Sequence, residues 1–120
     1  MEINKFKEWT FVREIEIPDF VKDVLIEGEE AKKAYTTIRD TALFTNKRLI
    51  VVDVQGITGK KKEIYSIPYK SILMFSSENA GHIDINSEVS LWTRLGLIKI
   101  NLKRDINVRE FDKLIARACL

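Results

Sequence analysis

The chain has 120 residues, a length that favours one domain with a core large enough to need neither metals nor disulfides. It is 45% hydrophobic and 32% charged, with a net charge of +2, which is ordinary for a globular protein. Apolar runs do not exceed four residues, whereas a membrane-spanning helix needs roughly 20, so no transmembrane segment is expected. The single Cys119 excludes an internal disulfide, and no apolar leader follows Met1. We therefore expect a cytoplasmic protein.

The first predicted element is a short amphipathic helix that ends at Gly28. Pro18 suits the first turn of a helix, and Asp19 favours its N-terminus. Five apolar residues follow helical spacing: Ile17, Phe20, Val21, Val24 and Leu25. The first 16 residues fit no single pattern, but their apolar side chains are expected to dock on another surface. Those side chains are Ile3, Phe6, Trp9 and Phe11.

From residue 30 the pattern changes to that of β-strands. Strands are predicted at residues 31–39, 41–45, 48–53, 61–67, 72–77, 88–94 and 97–103. The last is the clearest, because Ile98, Ile100 and Leu102 alternate with polar residues. The links between strands have the length and composition of hairpin turns, which predicts an antiparallel sheet.

A second amphipathic helix is predicted at the C-terminus. Asn107 can cap it, with Glu110 three residues later. The apolar stripe of this helix comprises Val108, Phe111, Leu114, Ile115 and Ala118. The predicted fold class is thus α+β and mostly β, with about seven antiparallel strands between an N-terminal and a C-terminal helix.

An ordered series of short motifs carries a resemblance to a known family. The chain reads GE at 28–29, AY at 34–35, IRD at 38–40, FTNKRLI at 44–50, DxQGxTGKK at 53–61, SIPYKSI at 66–72 and ExAGHxD at 78–84. This series resembles the bacterial pleckstrin-homology (PH) domain family over residues 28–120. Residues 1–27 lie outside the match and are interpreted as a separate N-terminal segment.

The resemblance implies a PH-like barrel of seven strands in two near-orthogonal sheets, plugged at one end by the C-terminal helix. It also implies ring-shaped homo-oligomers and no enzymatic activity.

A basic group in the middle of the chain is the first candidate binding site. Residues 41–80 carry a local charge of +3, whereas residues 1–40 carry −3. The group comprises Lys47, Arg48, Lys60, Lys61 and Lys62. These residues could hold a phosphate or an anionic lipid headgroup. However, eukaryotic lipid-binding PH domains place a basic motif between their first two strands, and here that link is the short, charge-balanced IRD. Solvated hairpin tips are the alternative interpretation.

No catalytic, metal-binding or cofactor-binding set is predicted. His82, Asp84 and Glu88 are loosely spaced, and His82 is the only histidine, whereas zinc sites need three or four ligands. No glycine-rich phosphate loop is present. Nucleic-acid binding is not predicted by this pattern, because only Tyr65 and Tyr69 lie near the lysines in sequence.

The candidate interface residues are large and aromatic, as is typical of interface centres. They are Phe6, Trp9, Phe11 and Trp92. The predicted function is a non-enzymatic binding or scaffold domain that self-assembles into a homo-oligomer. Recognition of an anionic membrane surface through the central lysines is the alternative, and an unidentified protein partner is also open.

Overall fold

A computed structural model describes residues 5–55, 57–58, 60–79 and 86–120. Within those residues it contains eight strands, two short 3₁₀ helices and one α-helix. The strands are β1 (Lys5–Ile15), β2 (Ala31–Thr37), β3 (Thr41–Thr45), β4 (Arg48–Gln55), β5 (Lys61–Pro68), β6 (Met74–Glu78), β7 (Ser87–Thr93) and β8 (Gly96–Leu102). The 3₁₀ helices span Asp19–Asp23 and Tyr69–Ser71, and α1 spans Val108–Cys119. The mostly β prediction with a C-terminal helix is confirmed.

The strands form one sheet in the order β5-β4-β3-β2-β1-β8-β7-β6. The two near-orthogonal sheets of the prediction are not seen, because β1 joins what would have been two separate halves. β1 pairs antiparallel with β2 and parallel with β8, so the all-antiparallel prediction is also wrong at this position. The sheet does not close, and β5 and β6 are its two edges.

A β-bulge explains why β1 was not predicted as a strand. Trp9 and Phe11 alternate normally and point into the core. The register then shifts between Phe11 and Arg13, so Ile15 packs on the opposite face of the sheet. Because a bulge reverses which positions face inward, no single period of two spans the whole strand.

The sheet curls strongly, which brings distant strands together. β1 and β5 are four positions apart in the sheet order, about 19 Å in a flat sheet. Yet the ring centroids of Trp9 and Tyr65 are only 5.4 Å apart. The concave face encloses the main core, whose largest fully buried rings are Phe11, Phe44 and Phe111.

The prediction of an N-terminal amphipathic helix is wrong. Only Asp19–Asp23 is helical, as a 3₁₀ turn after Pro18, and the rest of the connection to β2 is irregular. Val21 is buried against the convex face of the sheet, on Ala34, Leu43 and Ile50. Val21, Val24 and Leu25 therefore cover this domain's own sheet without a full α-helix, whereas Ile17 and Phe20 are 41% and 38% exposed. Strand β3 is therefore buried on both faces, by the main core on the concave face and by the cluster around Val21 on the convex face.

Helix α1 closes one end of the curled sheet, as predicted. The Asn107 side chain accepts hydrogen bonds from the backbone N–H groups of Arg109 and Glu110, at 2.9 and 3.2 Å. Phe111 and Ile115 are buried, and the half-buried Cys119 packs at the margin of the core. No helix in the described part of the chain is long and apolar enough to cross a membrane.

Candidate functional site

The turn between β3 and β4 holds Arg48 against Glu29. Arg48 Nε donates to Glu29 Oε2 at 2.9 Å, and Nη2 donates to Glu29 Oε1 at 3.0 Å. The same guanidinium donates to the Val24 carbonyl and to Ser66 Oγ. Arg48 and Glu29 therefore form a bidentate ion pair, the strongest geometry for an arginine–carboxylate interaction. Arg48 is thus not a free surface cation.

The neighbouring residues of the turn complete this pair. Thr45 Oγ1 donates to Glu29 Oε2 at 2.7 Å, and the Ile26 N–H donates to Oε1 at 3.1 Å. Asn46 accepts from the Glu30 N–H at 2.7 Å and donates to the Gly28 carbonyl at 3.1 Å. Gly28 has a φ of +80°, which favours glycine and turns the chain towards β2. We call Gly28, Glu29, Thr45, Asn46 and Arg48 the latch.

The latch changes the titration of Glu29, whose side chain has no exposed surface. Hydrogen bonds from Arg48 lower the pKa of this carboxyl from 4.5 to about 2, against an opposing effect of burial. Glu29 is thus ionised at neutral pH and belongs to the structure of the domain. Sequence reasoning missed the pair, although both residues lie within the motifs that carry the family resemblance.

The lysines at 60–62 lie at the other end of the β4–β5 hairpin. Arg48 is opposite Pro68 in the register, whereas Gln55 is opposite Lys61. The seven residue steps along β4 correspond to about 24 Å. The structure therefore does not bring the five basic residues into one site. Lys60, Lys61 and Lys62 are exposed, and Lys62 lies 4.0 Å from Asp40.

The aromatic interface candidates occupy three different environments. Phe11 has no exposed surface and Trp9 only 8%, so both belong to the core. Trp92 is half-buried on β7. Phe6 is 45% exposed, at the start of β1, and contributes to a surface cleft.

That cleft is lined mainly by apolar surface. It has a volume of about 530 Å³ and lies between β5 and the β7–β8 turn. Its floor includes the buried Ile98, and its rim carries Phe6, Leu73 and Leu95, which are 45%, 63% and 79% exposed. Sequence reasoning missed Leu73 and Leu95, because nothing in the local sequence indicates that these two positions lie at the rim of one cleft. We call this surface the edge cleft.

Comparison with known proteins decides the family. The family model for the bacterial PH domain matches residues 2–119. The chain belongs to this family. The match includes β1, which lies at the centre of the sheet.

Relatives of this bacterial PH domain agree in sequence and in shape. The uncharacterized protein YjqA of Bacillus subtilis is 45% identical over 100 residues, covering 81% of this chain and 80% of its own. A solved DUF1696 family protein with a pleckstrin-homology domain, from Shewanella loihica, is 37% identical. It superposes with a TM-score of 0.81, covering 89% of this chain and 96% of its own. A pleckstrin homology domain from Shewanella amazonensis is 42% identical, with a TM-score of 0.69 and coverages of 83% and 82%.

The described part of this bacterial PH domain gathers no metal-binding set. No group of three His, Cys, Asp or Glu side chains with suitable geometry occurs there. His82 and Asp84 lie outside the described residues, and Glu88 forms an ion pair with Lys99 at 3.4 Å.

Proposed function

We propose that this domain is a non-enzymatic scaffold that self-assembles into a homo-oligomer through the two open edges of its sheet. The supporting observation is that the edge cleft lies beside the unpaired edge strand β5. Edge strands present free backbone N–H and C=O groups, which readily pair with another chain.

The distribution of charge along β5 supports contact at one half of the strand. Its first half carries Lys61, Lys62 and Glu63, all exposed, and such charges discourage edge pairing. Its second half carries Ile64, which is 49% exposed, and lines the edge cleft. A partner strand would therefore be accepted at residues 64–67.

The opposite edge supplies a complementary surface. Strand β6, the other edge of the sheet, begins at Met74, which is 55% exposed. Because β5 and β6 differ in sequence, pairing one copy's β6 with another copy's β5 is a head-to-tail contact. Such a contact gives a closed ring when a whole number of copies, each rotated by the same angle, completes 360°. The occupant proposed for the edge cleft is thus a second copy of this chain.

Light scattering after size exclusion tests this assembly. We expect a mass that is a multiple of 13.9 kDa at micromolar concentration. Leu95→Glu should shift the mass to that of the monomer, because it places a charge in the apolar contact. Leu120→Glu is the matched control, since Leu120 is 96% exposed at the end of α1 and outside the cleft. A wild-type mass of 13.9 kDa throughout, or equal masses for the two variants, would contradict the proposal.

A second function, docking on an anionic membrane, is favoured by a different observation. Ile57 is fully exposed and Ile38 is 75% exposed, each in a turn between strands. Asp40, two residues after Ile38, lies 4.0 Å from Lys62, which places the two turns at the same end of the sheet. The exposed side chains of Ile38 and Ile57 could insert into the lipid bilayer, while the nearby Lys60, Lys61 and Lys62 attract anionic headgroups.

Co-sedimentation with phosphatidylserine vesicles tests this second function. Binding should fall at high salt, because the lysine contribution is screened. Replacing Lys60, Lys61 and Lys62 with glutamine should reduce binding by about a hundredfold, at roughly 1 kcal/mol for each lysine. Lys47→Gln, at the other end of β4, should leave binding unchanged. Equal loss in both variants, or no binding at low salt, would count against membrane docking.

A further inference from the structure

A polar cavity lies between α1 and the strands β1 and β2. Its volume is about 460 Å³, and it shares no lining residue with the edge cleft. Buried side chains form part of its lining, namely Tyr35, Ile106 and Phe111. Charged residues from β1, β2 and α1 surround them.

The Tyr35 side chain is the unusual member of this cavity. Its ring is packed in the core against Phe11, Phe44 and Phe111, at centroid distances of 5.5, 6.1 and 5.5 Å. The residue is only 4% exposed, yet its hydroxyl has no hydrogen-bond partner among the described residues. By contrast, the hydroxyls of Tyr65 and Tyr69 each donate at 2.6 Å, to Glu63 and to the Thr45 carbonyl. Among the described residues, Thr36 Oγ1 is the one buried side-chain oxygen or nitrogen without a partner, so the Tyr35 hydroxyl still reaches the open cavity and is available to a ligand there.

The charged groups that act on the titration of this hydroxyl are carboxylates. Burial, followed by the charges of Glu14 and Glu110, raises the pKa of Tyr35 to about 12. Both carboxylates line the cavity, with Glu14 held by Lys33 at 3.1 Å. A cationic group is therefore the species best accommodated beside the Tyr35 oxygen.

The opposite charge is supplied farther along α1. Lys113 and Arg117 also line the cavity, three and seven residues after Glu110. At the rise of an α-helix, these positions lie about 4.5 and 10.5 Å from Glu110 along the helix axis. The cavity thus presents a negative end at Glu110 and Tyr35 and a positive end at Arg117, with Lys113 between them.

We propose that this cavity binds a short zwitterion whose ammonium and carboxylate are well separated, of the ω-amino acid or dipeptide class. The ammonium donates to the Tyr35 hydroxyl oxygen and to Glu110, and the carboxylate accepts from Lys113 or Arg117. The buried rings of Tyr35 and Phe111 contact the chain between the two charges.

Isothermal titration calorimetry with 6-aminohexanoate tests the proposal. We expect binding at millimolar or lower concentration, and weaker binding of hexylamine, of hexanoate and of glycine. The first two probes carry one charge each, and glycine is too short to span the two ends. Absence of 6-aminohexanoate binding, or equal binding of hexylamine, would overturn the proposal.

Variants separate this site from general effects on folding. Tyr35→Phe keeps the ring and removes a hydroxyl that has no partner among the described residues, so the variant should unfold no more easily than wild type. It should nevertheless bind 6-aminohexanoate about tenfold more weakly, the effect of one hydrogen bond to a charged group. Tyr65→Phe removes a hydroxyl outside the cavity and should bind as wild type does. Equal affinities for the two variants would show that Tyr35 contacts no ligand.

Discussion

Replacing Glu29 with glutamine is expected to lower the free energy of unfolding at neutral pH by about 3 kcal/mol. The Glu29 side chain has no exposed surface, while Arg48 on the other side of the pair is 20% exposed. The substitution removes the negative charge and leaves the guanidinium without its counter-ion. Removing one member of a buried pair costs more than the pair contributes in total, because the remaining charge is left uncompensated.

Glu30→Gln is the matched control for this prediction. Glu30 is the next residue, its side chain is 74% exposed, and its ion pair with Lys32 has a distance of 3.4 Å. Exposed pairs of this kind contribute little, so the change should remain within about 0.5 kcal/mol. Urea denaturation of wild type and both variants measures the difference. Equal midpoints for the two variants would mean that the latch does not stabilise the fold.

The same pair predicts a dependence on pH. The pKa of Glu29 is 4.5 in the unfolded reference and about 2 in the folded domain. A lowered folded pKa gives stability that is fully present above pH 4.5 and is lost as the pH falls towards 2. The difference in unfolding free energy between wild type and Glu29→Gln should therefore shrink over that range. A difference that stays constant down to pH 2 would contradict the assignment.

Phe11→Ala is expected to destabilise the domain by about 3–5 kcal/mol. Phe11 has no exposed surface and stacks on Tyr35 at 5.5 Å, with Phe111 of α1 at 5.9 Å. Truncation would open a cavity where β1, β2 and α1 meet. Because domains of this size are stable by only about 5–15 kcal/mol, the variant could be largely unfolded at room temperature.

Phe6→Ala provides the control on the same strand. Phe6 is 45% exposed, so its loss should cost less than about 1 kcal/mol. Phe11→Leu keeps most of the side-chain volume and should fold with a smaller loss than Phe11→Ala. Thermal unfolding followed by circular dichroism compares the three variants. Similar losses for Phe6→Ala and Phe11→Ala would show that β1 is not part of the core.

The regular parts of the fold could be predicted from sequence. The alternation of Ile98, Ile100 and Leu102 and the stripe containing Phe111 and Ile115 each repeat with one period over their whole element. Strand β1 could not be predicted, because its bulge changes the period between Phe11 and Arg13. The 3₁₀ segment around Val21 was mistaken for an α-helix, since apolar residues covering a sheet can mimic helical spacing over two turns.

The candidate sites were less predictable, because they depend on contacts between distant residues. Arg48 was grouped with its neighbour Lys47 as a surface cation, although its partner Glu29 lies 19 positions away. Leu95 and Leu73 gain significance only when the curled sheet places them beside β5. The sequence could not predict which of the three tyrosine hydroxyls lacks a partner among the described residues, since that depends on the residues that surround each one in the folded domain.

The parallel pairing of β1 with β8 also determines the order in which the chain can fold. Strands β1 to β5 form a continuous series of neighbours and can pair in turn as they emerge during synthesis. The partner of Phe11, however, is Leu102, 91 positions later. Until β8 is made, one side of β1 has no partner, and joining it requires closing a very long loop. Contacts this far apart in sequence slow folding, so the pairing of β1 with β8 forms late. Until then, the unpaired side of β1 is an exposed strand edge at which the nascent chain can aggregate.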